Sequence, residues 1–208
     1  MSHVVREKPW GTIDIVVNEG RIFFQQRWQY DWLLSPGVAA WTVEEKRRFH
    51  RALDNQIWRF WSNRIKFSTT GNASFARRYG LVSINFDARW VLAKPHWKVT
   101  ARKLPAGSTP TTYISNVDRA TMTINLDSAD LASYTPSNAA GKSHKFFAVP
   151  HEFGHTFPGI DDEYVAGAKD LADTNSIMNI GDQIRERHLK PMLGELNTMM
   201  PGCTFKFP

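Results

Sequence analysis

The stretch His151-Glu152-Phe153-Gly154-His155, running on through Thr156-Phe157-Pro158-Gly159 to Ile160-Asp161-Asp162-Glu163-Tyr164, decides how the chain is read. Residues four apart on an α-helix share a face, so both imidazoles can converge on one metal ion. Glu152 falls about 100° round the helix from His151, beside such a metal rather than on it. Two neutral imidazoles suit zinc, and a third protein ligand leaves a fourth position open for water. A water activated in this way is a nucleophile near neutral pH, and Glu152 is placed to take its proton. Phe153 is expected to face the core, and Gly154 to leave room for close packing. The carboxylates that follow the turn at Gly159 offer the third ligand. The plain alternative is a surface helix carrying two unrelated histidines.

Working outward, the neighbouring sequence predicts a mixed fold. A helix is expected over about 146–157, with Pro150 either opening it at its first turn or kinking one begun earlier. Residues 128–141, rich in Ser, Ala, Asn, Thr and Pro, read as a loop. Before the loop, 64–69, 81–90, 97–104 and 121–126 have the period of strands and are separated by Gly71, Gly80, Pro95 and Pro105. The clearest helix starts at the capping-box pair Thr42 and Glu45, with Phe49, Leu53, Ile57, Trp58 and Trp61 at helical spacing. Residues 12–17 and 21–28, joined at Asn18-Glu19-Gly20, read as a hairpin, and a last helix is expected over about 183–199. Strands and one helix followed by further helices make an α+β domain whose mixed sheet carries a helix layer. A single domain is expected over 1–208, with a sheet-bearing part to about 157 and a smaller part over about 158–208.

Composition narrows the function classes. The 208 residues are 42% hydrophobic and 22% charged, which is globular rather than disordered. No apolar run approaches the ~18–20 residues of a membrane span. Residues 1–20 lack a basic segment followed by an apolar stretch, so no secretory signal is expected. The single cysteine, Cys203, excludes an internal disulfide and a Cys-rich metal site, and is expected to be a free thiol. The formal net charge of +6 favours anionic partners such as a cell-wall polymer. Its densest group is Lys46, Arg47, Arg48 and Arg51, but no basic stripe or binding motif accompanies it, so a nucleic-acid partner is not expected.

The residues from His151 to Tyr164 resemble the active-site signature of the metzincin clan of zinc peptidases. In particular they are similar to the bacterial IgA-peptidase-like metallopeptidases, whose motif also runs on into Asp-Glu-Tyr and carries one residue more before the glycine than most metzincins. Ser176-Ile177-Met178 resembles the clan's Met-turn, in which a methionine lies beneath the metal site. The resemblance covers residues 146–189, about a fifth of the chain. It implies a metzincin-like core with Zn2+ held by His151, His155 and Asp162, Glu152 as general base and acid, and Met178 as a structural floor. It also implies an extended substrate paired with an edge strand, for which 121–126 is the candidate, as the last strand before the active-site helix. The sequence departs from the pattern in two places. Ile180 stands where many metzincins have a tyrosine that supports the oxyanion, and the usual spacing from His155 selects Asp161 rather than Asp162. The glycine argues for Asp162: Gly159 can take the left-handed conformation that ends the helix and turns the chain back, which places the ligand at the end of a Gly-x-x-Asp step.

The expected function is therefore that of a zinc metalloendopeptidase acting on a protein or peptide, as a monomer, in the setting of a bacterial effector or toxin exported without a signal. The alternatives are a peptidoglycan stem-peptide amidase or endopeptidase, and a non-enzymatic zinc-stabilised binding module. Glu152 separates the last from the others, because a purely structural zinc needs no carboxylate beside it and usually takes four protein ligands. His188, next to Arg187, reads either as part of a solvated helix face or as a group reaching the cleft to bind an oxyanion or a substrate carboxylate. Trp58, Phe60 and Trp61 read as core, and His50, His96 and His144 as structural.

Overall fold

In the computed structural model, which describes residues 3–111 and 114–208, the chain opens with three strands, β1 (His3–Lys8), β2 (Gly11–Val16) and β3 (Arg21–Leu34), successive strands pairing antiparallel. The hairpin of β2 and β3 is the one the sequence predicts. β1 is additional, and its alternately exposed and half-buried residues give it no apolar face to announce it. Ile22, Phe24, Gln26 and Trp28 are buried on one face of β3, as a period of two requires. α1 (Val43–Trp61) follows, with both halves of the capping box formed: the Glu45 N–H donates to Thr42 Oγ1 at 3.1 Å and the Thr42 N–H to Glu45 Oε2 at 2.8 Å. It buries Phe49, Leu53, Ile57, Phe60 and Trp61, whereas Trp58 is exposed, one helical step away from that stripe.

The chain continues through β4 (Lys66–Thr70), α2 (Ser74–Arg78), β5 (Leu81–Trp90), β6 (Trp97–Lys103), β7 (Asn116–Asp118), β8 (Thr123–Asp127), β9 (Ser133–Tyr134) and β10 (Phe146–Phe147). α3 (Ala148–His155), a 3-10 turn (Glu186–Leu189), α4 (Lys190–Met199) and β11 (Thr204–Lys206) complete it. Among the described residues the large sheet runs β11-β4-β5-β3-β6-β8-β7, with β2 paired to the first part of β3 and β1 paired to β2. β5, β3, β6 and β8 are parallel, and β7, β4 and β11 pair antiparallel to their neighbours. The domain is thus α+β with a mixed sheet.

Two expectations are corrected here. The strand over 121–126 is not an edge: β8 lies between β6 and β7, and β7 is the edge. The final helix begins later than residue 183 because 183–185 stays extended, the 3-10 turn follows, and Pro191 sits in the first turn of α4, where its missing N–H costs nothing. β11 then joins β4, so the chain after α3 returns to the sheet.

α3 is the helix that matters. All its residues from Ala148 to Gly154 are buried, so it lies inside the domain rather than on it. Pro150 is its third residue, where the N–H would have no intrahelical partner in any case. Phe153 and the following Phe157 enter an aromatic cluster with Phe24 of β3, Phe86 of β5 and Trp61 of α1. Trp61 Nε1 donates to the Pro150 carbonyl at 2.9 Å, and buried Gln26 donates to Thr156 Oγ1 at 2.8 Å. These contacts hold the helix against the sheet along its length. No helix among the described residues is long and apolar enough to cross a membrane.

Candidate metal centre

His151 and His155 point the same way from α3, as the four-residue spacing demands, and their Nε2 atoms lie 3.1 Å apart. The chain leaves the helix at Thr156, buries Phe157, and turns at Gly159, whose φ of 70° is the left-handed conformation that glycine adopts without strain. Ile160 goes inward, Asp161 outward and Asp162 inward. Asp162 Oδ1 ends 3.1 Å from His151 Nε2 and 2.9 Å from His155 Nε2. Asp161 is instead ion-paired with Arg119 and its side chain is 74% exposed. The structure therefore brings together His151, His155 and Asp162, and the described residues hold no other group of this kind.

The other ring nitrogens show what this cluster is prepared for. His151 Nδ1 lies 2.8 Å from the Ile177 carbonyl, and His155 Nδ1 lies 3.0 Å from the Ile160 carbonyl. A carbonyl can only accept, so each Nδ1 carries the hydrogen and each neutral ring turns an Nε2 lone pair inward. Two such lone pairs and a carboxylate oxygen meet at one point, an arrangement that a divalent cation satisfies and that oriented histidine ligands typically show. Burial pushes Asp162 up, but the two imidazoles outweigh it and hold the carboxyl well below the ordinary range. Burial pushes His155 down, but Asp162 and Glu152 bring it above the usual imidazole value. The donor set, N, N and O, suits zinc.

Glu152 lies beside the cluster, not in it. It is buried, its Oε2 has no hydrogen-bond partner among the described residues, and burial raises its carboxyl above the usual range against the pull of both imidazoles. It lines a cavity of about 250 Å³ together with Tyr134, Tyr164 and Ile180. Ile180 brings no donor to that cavity, whereas the two tyrosines do.

Beneath the helix lies Met178, fully buried. A Cβ placed on Gly154 would overlap Met178 Sδ, so the glycine is what lets the methionine pack directly under the pair of histidines. Gly154→Ala should therefore cost about 1–3 kcal/mol of stability, the usual penalty for overpacking a core, read from the urea midpoint. The Ser176–Met178 turn also carries the Ile177 carbonyl that orients His151, and the Met178 carbonyl accepts from the Glu163 N–H at 2.8 Å. Turn and ligand loop are thus bolted together.

Several residues around this frame have roles the sequence reading missed. Arg119 donates to the Ile160 carbonyl at 2.8 Å and to that of Phe157 at 3.2 Å, so it fixes the group that fixes His155. Glu163 takes a two-point contact from Arg187, both at 2.7 Å, and lies 3.1 Å from His188 Nε2. Burial pushes Glu163 up, but Arg187 and His188 prevail and lower it to about 2. Arg187 also meets Asp173, which Arg185 grips in turn. His188 is thereby corrected: it is buried, neither on a solvated face nor lining the cavity beside Glu152, and with Arg187 it anchors the residue after Asp162. His50 and His96 bond to Tyr30 and Glu7, and Cys203 is free and buried.

No protein-family model, curated protein or solved structure matches this chain significantly. The site itself carries whatever is concluded about function.

Proposed function

We propose that the chain is a zinc-dependent endopeptidase, with His151, His155 and Asp162 as metal ligands and Glu152 as general base, on a metzincin-like core. The observation that carries this reading is the pairing of three converging lone-pair atoms with a buried carboxylate beside them whose Oε2 is unpartnered. A structural site would have no use for that carboxylate. Zinc, when bound, supplies Lewis acidity toward a carbonyl oxygen and lowers the pKa of a water. The rest is done by the chain. As a water oxygen adds to the scissile carbonyl carbon, Glu152 takes one of its protons and delivers it to the amide nitrogen when the C–N bond breaks. Tyr134 and Tyr164, lining the same cavity, offer hydroxyl donors to the oxygen that gains charge, the role Ile180 cannot fill. The free side of β7, which packs near α3, offers main-chain groups to an extended peptide, so binding would tolerate varied side chains.

Metal analysis paired with hydrolysis of casein and of cell-wall stem peptides tests this. About one zinc per chain and chelator-sensitive cleavage of protein are expected. Cleavage of stem peptides alone would move the activity to the cell wall. A metal-free protein of full activity would end the reading.

A further inference from the structure

The cavity beside Glu152 has a second acid in its wall. Asp130 is fully buried; its Oδ2 accepts from Ser115 Oγ at 2.6 Å and from the Asp127 N–H at 2.7 Å, while its Oδ1 has no partner among the described residues. Asp127, three residues earlier, is buried too and leaves its own Oδ2 unpartnered. Around Asp130 the cavity wall is mixed, with Ile114, Pro136, Phe146, Ala148 and Ile180 beside the hydroxyls of Ser115, Tyr134, Ser137 and Tyr164, and no Lys or Arg is among the described residues that line it.

A buried carboxylate oxygen without a partner is costly, and in folded proteins such groups are paired or held for a ligand. A ligand that lets Asp130 stay ionised here is one that brings a positive charge past the apolar part of the wall. Lysine and arginine side chains have that shape, a hydrocarbon stem with a cationic head. An apolar side chain would fill the walls and leave Asp130 unpaired, and an acidic one would meet Asp130 and Glu152 with like charge.

We infer that this cavity is a specificity pocket for a cationic side chain, Lys or Arg, on a residue flanking the scissile bond, with Asp130 as the residue that selects it. The inference rests on the peptidase reading and names its substrate class. Burial first, then the neighbouring charge of Asp127 and more weakly that of Glu152, pushes Asp130 up to about 7, which a seated cation would reverse.

The test uses the zinc-loaded full chain and N-acetylated peptides identical except for Lys, Arg, norleucine or Glu on either side of the scissile bond. Norleucine keeps the methylenes and loses the ammonium. Lys or Arg should exceed norleucine in kcat/KM by at least about tenfold, a floor below the roughly ten-thousandfold by which a site built for a polar group rejects an analogue lacking it, with Glu the poorest. In Asp130→Asn the Lys-to-norleucine ratio should fall close to one. n-Butylammonium, followed by NMR with the metal-free protein, should bind wild type and not Asp130→Asn. Equal cleavage of the Lys and norleucine peptides overturns the pocket assignment and leaves the peptidase reading standing, a result that needs no variant to fold. Cleavage of the same peptides only when a free α-amine replaces the acetyl group assigns the cation to the chain terminus and overturns it as well. Failure to cleave any peptide removes the peptidase reading and this inference together.

Discussion

Glu152→Gln should leave zinc bound and the fold unchanged while turnover falls by roughly a hundredfold to ten-thousandfold, the range of lost general-base catalysis. The substitution keeps shape and burial and removes only the ability to take a proton. Because Oε2 has no hydrogen-bond partner among the described residues, an amide there breaks no internal bond of that oxygen, and the unfolding midpoint should barely move. The loss should fall on kcat rather than KM, since in the proposed mechanism Glu152 acts on the water and not on peptide binding. Steady-state kinetics beside metal content and a urea melt decide it. A Glu152→Gln enzyme with zinc in place and full turnover would take the base away from this residue. A binding module would be indifferent to the change.

What the sequence made legible, and what it hid, follows from the range of the interactions involved. α1 is written in local terms, a capping box and an apolar stripe, and so is the pair of histidines on α3, because helical spacing alone makes them converge. The turn at Gly159 is local as well, since a positive φ needs only the right residue type, and the structure brings Asp162 rather than Asp161 to the histidines. β7 is different. Asn116, Val117 and Asp118 show no alternation worth the name, and the strand exists because β8 offers it a partner. The reading selects 121–126 as the last strand before the active-site helix, and β7 occupies the edge instead. Arg119 and the Glu163–Arg187–His188 cluster were hidden for the same reason: nothing near Arg119 in sequence says that it will clasp the Ile160 carbonyl. An Arg-Glu-Arg-His run looks solvated until the fold turns two of its members onto a buried acid. Trp58 errs the other way. Its helical spacing groups it with Phe49, Leu53, Ile57 and Trp61, whereas it lies one step beyond that stripe and points out.

The second large effect concerns the third ligand, where neighbouring acids differ only in direction. Asp162→Ala should weaken zinc binding by orders of magnitude, because its Oδ1 is the one oxygen within 3.1 Å of both Nε2 atoms. Arg119→Ala should cost about tenfold to a hundredfold, the scale of losing a group that orients a ligand, since the Ile160 carbonyl would lose its guanidinium and His155 its fixed acceptor. Asp161→Ala should cost less again. It removes an exposed ion pair, and such pairs contribute little, while Arg119 keeps both carbonyls without it. Titration of each apo variant against a competing zinc chelator gives the order directly. The expected ranking is Asp162 far above Arg119, and Arg119 above Asp161. Were Asp161→Ala the variant that lost its metal, the ligand would be the residue six positions beyond His155 and the loop would have to rotate to present it. That rotation would carry Glu163 off Arg187 and its N–H off the Met178 carbonyl, so the same variant would also be expected to melt early. An Asp161→Ala protein that keeps its stability and its zinc, beside an Asp162→Ala protein that keeps only its stability, separates the two arrangements.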